Sequence, residues 1–344
     1  MNACEIKLLQ ALSNLSAKTL WIVDENIDQS FVGKVVPSPL LQAVTNRCDL
    51  ATQLQNKYIQ TVCSDFEFAE VTQIQQIIYR VSKERVLVEH CIQHAAALLI
   101  QGGKLILIGE KQEGIKTYAK FAQQHFATQV STQKDGLAYQ VEANLGPAPS
   151  VQNNLPTEYA TLHDFNIDGL QFTSKPGLYG WKKIDAGSRI LIDTIKPLLN
   201  EARTEDQTCL DLGCGYGFLT LALQDVNLAK RLATDNNITA TNTAKINFAQ
   251  HQLSVDLSLD NCAEKISQPV DIIVCNPPFH QGFQHKGDLI ELFLQTTLRL
   301  LKPNAKAYFV VNEFIPLPKV VANLGGQQEL LIKKDGFRVY SIYH

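Results

Sequence analysis

At 344 residues, 45% of them hydrophobic and 19% charged, the chain has room for two ordinary domains and a globular make-up, which excludes a fibrous or disordered class. A formal charge of −3 and a pI near 6.2 give no global basic field, so nucleic-acid binding would have to use a local face. Eight cysteines without a CxxC pair argue for reduced, buried thiols and against a zinc site or disulfide framework, and no metal is expected.

In the amino-terminal segment MNACEIKLLQALSNLSAKTLW, Glu5, Lys7, Gln10 and Asn14 break up the apolar residues, so no signal peptide is read. The longest apolar stretch, residues 95–100, is far too short to span a bilayer, and a cytoplasmic protein without a membrane partner is expected. LWIVD, residues 20–24, predicts a strand that no glycine turn follows. A helix is predicted over residues 84–99, leading through QGGK into a strand at 105–109. The segment NLGPAPSVQNNLPT, residues 144–157, places three prolines among small polar residues and supports no periodicity. It reads as a linker between one domain at residues 1–150 and another at 157–344.

Beyond the linker, strands are predicted at 208–212, 230–235, 270–275 and 306–312, with helices from 218, over 239–252 and over 289–301. Such alternation implies right-handed crossovers and a mostly parallel sheet covered on both faces. Residues 329–333 and 337–343, around Lys334-Asp335-Gly336, predict a hairpin that adds an antiparallel strand at the sheet edge. The first half carries an echo: LLIQGGKLILIGE and LLKPNAKAYFVVNE align with one gap. Helix, turn and strand recur by coincidence in many chains. If the echo holds, the α/β chain consists of two tandem Rossmann-like domains, the first of them degenerate.

After the strand ending at Leu212 come Gly213, Gly215 and Gly217, preceded by Asp211 and followed by a helix. Alternate glycines let the backbone turn sharply and approach a ligand, and the helix start offers unpaired N–H groups. The spacing G-x-G-x-G, unlike G-x-G-x-x-G, leans away from a dinucleotide. Asp235 closes the next strand, where a carboxylate can accept both ribose hydroxyls of an adenosine-type ligand. Asp260-Asn261, after the short run 255–259, could cap an adenine ring. A tight turn with nothing bound is the plain alternative for each of these residues.

CNPPFHQG, residues 275–282, faces the same crevice. Asn276 supplies an amide carbonyl, Phe279 a face on which a base can stack, and Pro277 and Pro278 a stiff arm. An exocyclic amine on a heterocycle delocalises its lone pair into the ring. Hydrogen bonds from its N–H groups to Asn276 Oδ1 and a proline carbonyl would favour pyramidalisation and free that pair. No strong base is needed if the electrophile is a sulfonium methyl, so alignment becomes the main lever, and a misplacement of about 1 Å can lower the rate on the order of 100-fold. His280 and His285 flank the arm; a base role for His280 and a plain loop role both stay open. Lys182, Lys183, Arg189 and Lys286 could contact phosphates or form a solvated surface run. A nucleotide-dependent oxidoreductase would explain the glycines but not NPPF, and a non-catalytic RNA-binding module would explain neither.

With Asp235, DLGCGYG resembles the cofactor-binding face of class I S-adenosylmethionine-dependent methyltransferases. CNPPFHQG is similar to the N-P-P-F/Y signature of enzymes that methylate exocyclic amines. Together with Pro176-Gly-Leu-Tyr, Asp185-Ala-Gly-Ser188, Phe314-Ile-Pro-Leu-Pro318 and Phe337-Arg-Val-Tyr340, the whole chain resembles the ribosomal RNA small subunit methyltransferase C family. That resemblance implies transfer of a methyl group to guanine N2 in 16S rRNA by a monomer acting on the RNA or the assembled small subunit. It also implies a class I methyltransferase-type fold in both domains, with a degenerate first domain serving RNA recognition or structural support. Carried over, it puts Asp211, Gly213, Gly215, Gly217, Asp235, Asp260 and Asn276 on S-adenosylmethionine, and Asn276, Pro277, Pro278 and Phe279 on the guanine amine. Gly180-Trp-Lys-Lys-Ile184 departs from the family, which has a short Ser-Arg-like turn there, and this puts RNA contacts in that segment in doubt. The related large-subunit guanine methyltransferase shares the glycine loop and NPPFH and is the alternative.

Overall fold

The computed structural model describes residues 1–69, 71–126, 128–146, 157–278 and 286–344, of which 286–288 by backbone alone. The chain divides into two compact units, Met1–Thr161 and Leu162–His344. The division falls after Thr161 rather than at 157, because residues 157–161 are anchored in the first unit. Tyr159 is buried there, its hydroxyl donating to Asp65 Oδ1 at 2.7 Å, and Thr157 Oγ1 lies 2.6 Å from His90 Nδ1. Residues 147–156 of the expected linker lie outside the described residues.

In the first unit, strands β1 (Thr19–Val23), β2 (Leu41–Thr45), β3 (Gln60–Cys63), β4 (Ile74–Arg80), β5 (Leu99–Glu110), β6 (Val130–Asp135) and β7 (Ala138–Asn144) form one sheet in the order β3-β2-β1-β4-β5-β7-β6. The strands from β3 to β5 in that order pair in parallel, and β7 pairs antiparallel with both of its neighbours. Helices α1 (Ala3–Ser13), α2 (Gln29–Lys34), α3 (Cys48–Asn56), α4 (Arg85–Leu98) and α5 (Ile115–Phe126) accompany it. Leu20 and Ile22 enter one apolar cluster and Trp21 and Val23 another, as a strand buried on both faces requires.

The second unit repeats this plan. Strands β8 (His163–Ile167) and β9 (Leu170–Ser174) form a separate hairpin, followed by helix α6 (Ala186–Glu201). The main sheet then uses β10 (Thr208–Leu212), β11 (Lys230–Asp235), β12 (Asp256–Leu259), β13 (Val270–Cys275), β14 (Leu301–Asn312), β15 (Gln327–Lys334) and β16 (Phe337–Tyr343), in the order β12-β11-β10-β13-β14-β16-β15. Helices α7 (Phe218–Ala222), α8 (Ile238–Gln250), α9 (Lys286–Leu300) and α10 (Leu317–Asn323) complete it. Ile272 and Val274 enter one core cluster and Ile273 and Cys275 the other, so β13 too is buried on both sides. Strand order reverses between β10 and β13, and their carboxyl ends open on the crevice where such sheets bind ligands.

The predicted echo is a duplication of topology. Both sheets have the same strand order, and both carry a register shift at the same place, between Ile74 and Gln76 and between Val270 and Ile272. β5 and β14 each contain a left-handed residue at the matching position, Gly102 (φ 77°) and Asn304 (φ 65°). The segment after α9 was expected to be a turn before a strand starting at 306. It is instead a bent strand from Leu301, because the bulge lets pairing with β13 begin early. The β8–β9 hairpin was not predicted. Its signal is Asp168-Gly169, with φ of 50° and 83°, the dipeptide that suits a tight hairpin turn.

Strand register also shows what the first copy has lost. Matching β1 to β10, β2 to β11 and β4 to β13 sets Trp21 at the place of Asp211, Val23 at that of Gly213, Thr45 at that of Asp235 and Arg80 at that of Asn276. The strand ends are tied off by polar contacts. Tyr79 Oη donates to buried Asp24 Oδ2 at 2.6 Å, and the buried Arg80 guanidinium makes a two-pronged pair with Glu113 at 2.7 Å per contact. Among the described residues no helix is long and apolar enough to cross a membrane, and no group of three or more His, Cys, Asp or Glu is gathered as metal ligands would be.

Candidate active site

The site of the second unit is built on the carboxyl ends of β10, β11, β12 and β13. Gly213, Gly215 and Gly217 have φ of 78°, 56° and 89°, all in the left-handed region. The amides of Gly213 and Cys214 both donate to Thr234 O at 2.9 Å, and the amide of Gly217 donates to Cys214 O at 2.9 Å, so the loop is folded onto β11. A Cβ on Gly217 would stand 2.6 Å from the Phe248 ring, whereas one on Gly215 would meet nothing within 4 Å. Gly217 therefore serves packing, and Gly215 presents bare backbone to open space, as close approach by a ligand requires.

Three carboxylates surround this loop. Asp235 accepts the Gly215 amide at Oδ2 and the Asn237 amide at Oδ1, each at 2.9 Å, and is half-buried. The Asp260 amide donates to Asp235 O at 2.9 Å, and Asp260 Oδ2 accepts the Lys265 amide at 2.9 Å, so the buried Asp260 sits at the end of β12 beside Asp235. Asp211 is 1% exposed beneath the loop. Its Oδ2 accepts the amide of Thr220 at 3.0 Å and its hydroxyl at 2.7 Å, bracing β10 against α7, while Oδ1 has no hydrogen-bond partner among the described residues. Burial pushes the Asp211 carboxyl up to about 7, opposed by the Thr220 hydrogen bonds and assisted by the charge of Asp235.

Asn276 follows β13 directly. Its Nδ2 donates to Asp185 Oδ2 and to Ser188 Oγ, both at 2.7 Å, and Oδ1 accepts no hydrogen bond from the described residues. Pro277 is buried and Pro278 exposed, so the arm leaves the core at the second proline. Phe279, His280 and His285 lie outside the described residues, as does the side chain of Lys286.

Of the expected RNA-facing residues, Lys182 and Lys183 are exposed, with Lys182 Nζ 4.7 Å from the Trp181 ring centre. Arg189 is engaged within its own unit, pairing with Asp168 and, at 3.1 Å, with Asp193. Two contributors went unrecognised in the sequence. Buried Asn247, in the middle of α8, donates to Tyr216 O at 2.7 Å and Thr173 O at 2.8 Å, joining the glycine loop to β9. Thr220 braces Asp211. Neither has a local pattern that sets it apart from an ordinary helical polar residue.

Comparison with known proteins agrees with this geometry. A profile of the methyltransferase small domain matches residues 169–341, and one of the methyltransferase small domain N-terminal region matches residues 7–159. A ribosomal RNA small subunit methyltransferase C of Erwinia tasmaniensis is 28% identical over 267 residues, covering 77% of this chain and 74% of that protein. The Salmonella choleraesuis protein of the same name is 26% identical over 276 residues, covering 79% and 76%. A T. thermophilus 16S rRNA N2 methyltransferase, solved in complex with AdoMet and guanosine, has a TM-score of 0.82 at 20% identity over 99% of this chain and 92% of its own. That likeness shows that the two-domain fold is shared.

Proposed function

The chain belongs to the methyltransferase small domain family, and on that premise we propose that it transfers a methyl group from S-adenosylmethionine to the exocyclic N2 amine of a guanine in 16S rRNA. The observation that carries this reading is the coincidence, at one end of one sheet, of a glycine loop bordered by carboxylates and an asparagine whose amide oxygen is left available. The relatives named for small-subunit rRNA support the substrate, and rRNA is the partner. Action on the RNA or the assembled subunit as a monomer, and a recognition or support role for the first unit, complete the proposal.

The residues present fit the cofactor. Bare backbone at Gly215 admits the amino-acid end closely, and Asp211 Oδ1 is an unmatched buried acceptor for its ammonium. Asp235 is assigned to the ribose hydroxyls and Asp260, beside it, to the adenine edge. When bound, S-adenosylmethionine supplies an electrophilic methyl on a sulfonium, whose departure leaves a neutral thioether. The nitrogen, cationic once methylated, then releases one N–H proton to water, so the chain's part is alignment. Asn276 Oδ1 and the carbonyl of Pro277 accept the two amine N–H groups, drawing the nitrogen out of conjugation and aiming its lone pair. Phe279 is assigned to stack on the base, and Lys182 and Lys183 to neighbouring phosphates.

Titration calorimetry tests the cofactor assignment. S-adenosylmethionine should bind, with a Kd in the micromolar range, on the order of −8 kcal/mol, and NAD should not. Below about 7 Asp211 takes up a proton and loses its charge. Affinity for the cationic ligand should therefore rise severalfold, by roughly 1 kcal/mol, from about pH 6 to pH 7.5 and then level off. Absence of binding would remove the cofactor assignment, and binding with a flat pH profile would take Asp211 out of it.

A further inference from the structure

The hydrogen bonds that hold Asn276 have a directional consequence. We propose that Asp185 is a positioning residue that locks the Asn276 amide with its oxygen toward the substrate amine, a role that rests on the methyl-transfer reading above. The prolines stiffen the backbone of the arm, but an asparagine's last torsion is broad and roughly two-fold, so proline cannot decide which end of the amide faces the substrate. Asp185 can. An ionised carboxylate only accepts hydrogen bonds, so it holds the NH2 end at 2.7 Å and repels the carbonyl end. Ser188 Oγ takes the other amide hydrogen at 2.7 Å, leaving neither N–H of Asn276 for the substrate side.

Asp185 is itself pinned from two directions. As the N-cap of α6, its Oδ2 also accepts the Ser188 amide at 2.8 Å. Tyr179 Oη donates to Oδ1 at 2.7 Å, although the residue is 52% exposed. The start of α6 thus fixes the carboxylate, the carboxylate fixes the amide, and the amide presents a pure acceptor. The amine being methylated offers only donors, so the orientation matches it. A reversed amide would present N–H to N–H.

Asp185→Ser separates this role from helix capping, since serine caps a helix about as well as aspartate but is too short to hold Asn276 as the carboxylate does. Asn276 is then left with the Ser188 hydroxyl, which can accept from the NH2 end or donate to the carbonyl end, so the orientation is no longer imposed. In the full-length chain, kcat for methyl transfer should fall about 10- to 100-fold, with KM for RNA, cofactor Kd and Tm close to wild type. The Asn276 side-chain amide, identified in a 15N–1H NMR spectrum by its loss in Asn276→Ala, should exchange slowly with solvent in the wild type and rapidly in Asp185→Ser. Wild-type kcat in a folded Asp185→Ser protein would overturn the proposal, as would an unchanged amide resonance should Tm and kcat fall together. If the wild type itself transfers no methyl group, the functional reading fails instead, and the exchange measurement alone decides whether the lock exists.

Discussion

Asn276→Ala is expected to lower kcat for methyl transfer by about 100- to 1000-fold while leaving S-adenosylmethionine affinity largely unchanged. The side chain ends in an acceptor whose orientation is held by Asp185 and Ser188, and alanine removes it without adding bulk. The loss should fall on kcat rather than KM, because an acceptor that favours pyramidalisation acts more strongly in the transition state than in the ground state. The stability cost should be about 1–2 kcal/mol, since alanine leaves half-buried Asp185 and buried Ser188 each without one hydrogen bond. Single-turnover transfer of labelled methyl groups would measure the effect. An active Asn276→Ala enzyme would contradict the amine-holding role outright.

Gly217→Ala should act through the fold. At φ 89° an added Cβ would stand 2.6 and 2.8 Å from two ring atoms of Phe248 and 3.5 Å from Ala244 Cβ. Phe248 is 5% exposed within the core and has little room to retreat. Left-handed strain and overpacking together should destabilise the protein by about 2–5 kcal/mol. The loop from Gly213 to Gly217 would shift with it, so cofactor binding should be lost in parallel. Gly215→Ala is the contrasting case: at φ 56° it bears left-handed strain of about 1–2 kcal/mol but, with nothing within 4 Å of its Cβ, no overpacking, so it should lose less stability yet weaken cofactor binding. Denaturant unfolding distinguishes the two, and a Gly217→Ala protein with the wild-type midpoint would refute the packing argument.

Much of the fold was legible because parallel strands buried on both faces read as short apolar runs. TCLDL and KRLATD coincide with β10 and β11, and VDIIVC coincides with β13. The duplication was legible only as an echo in LLIQGGKLILIGE, because the first copy keeps the pattern that buries strands and not the glycine loop or NPPF of the second. Trp21, Val23, Thr45 and Arg80 stand in the first copy where Asp211, Gly213, Asp235 and Asn276 stand in the second. Long-range contacts were what the sequence hid. Asp185 stands 2.7 Å from Asn276 through folding alone, and Asn247 reaches the glycine loop from the middle of a helix. No local periodicity marks either. The short hairpin at β8–β9 was within reach, because Asp168-Gly169 is a recognisable turn, but its flanking runs are brief and half-exposed.

The most direct measurement is nucleoside mass spectrometry of rRNA mapped by fragment, before and after incubation of the purified protein with S-adenosylmethionine and small subunits from cells lacking it. A single N2-methylguanosine should appear in 16S rRNA, and Asn276→Ala should fail to produce it. Absence of that mark from 16S rRNA, or its appearance in 23S rRNA of matched large subunits instead, would contradict the assignment.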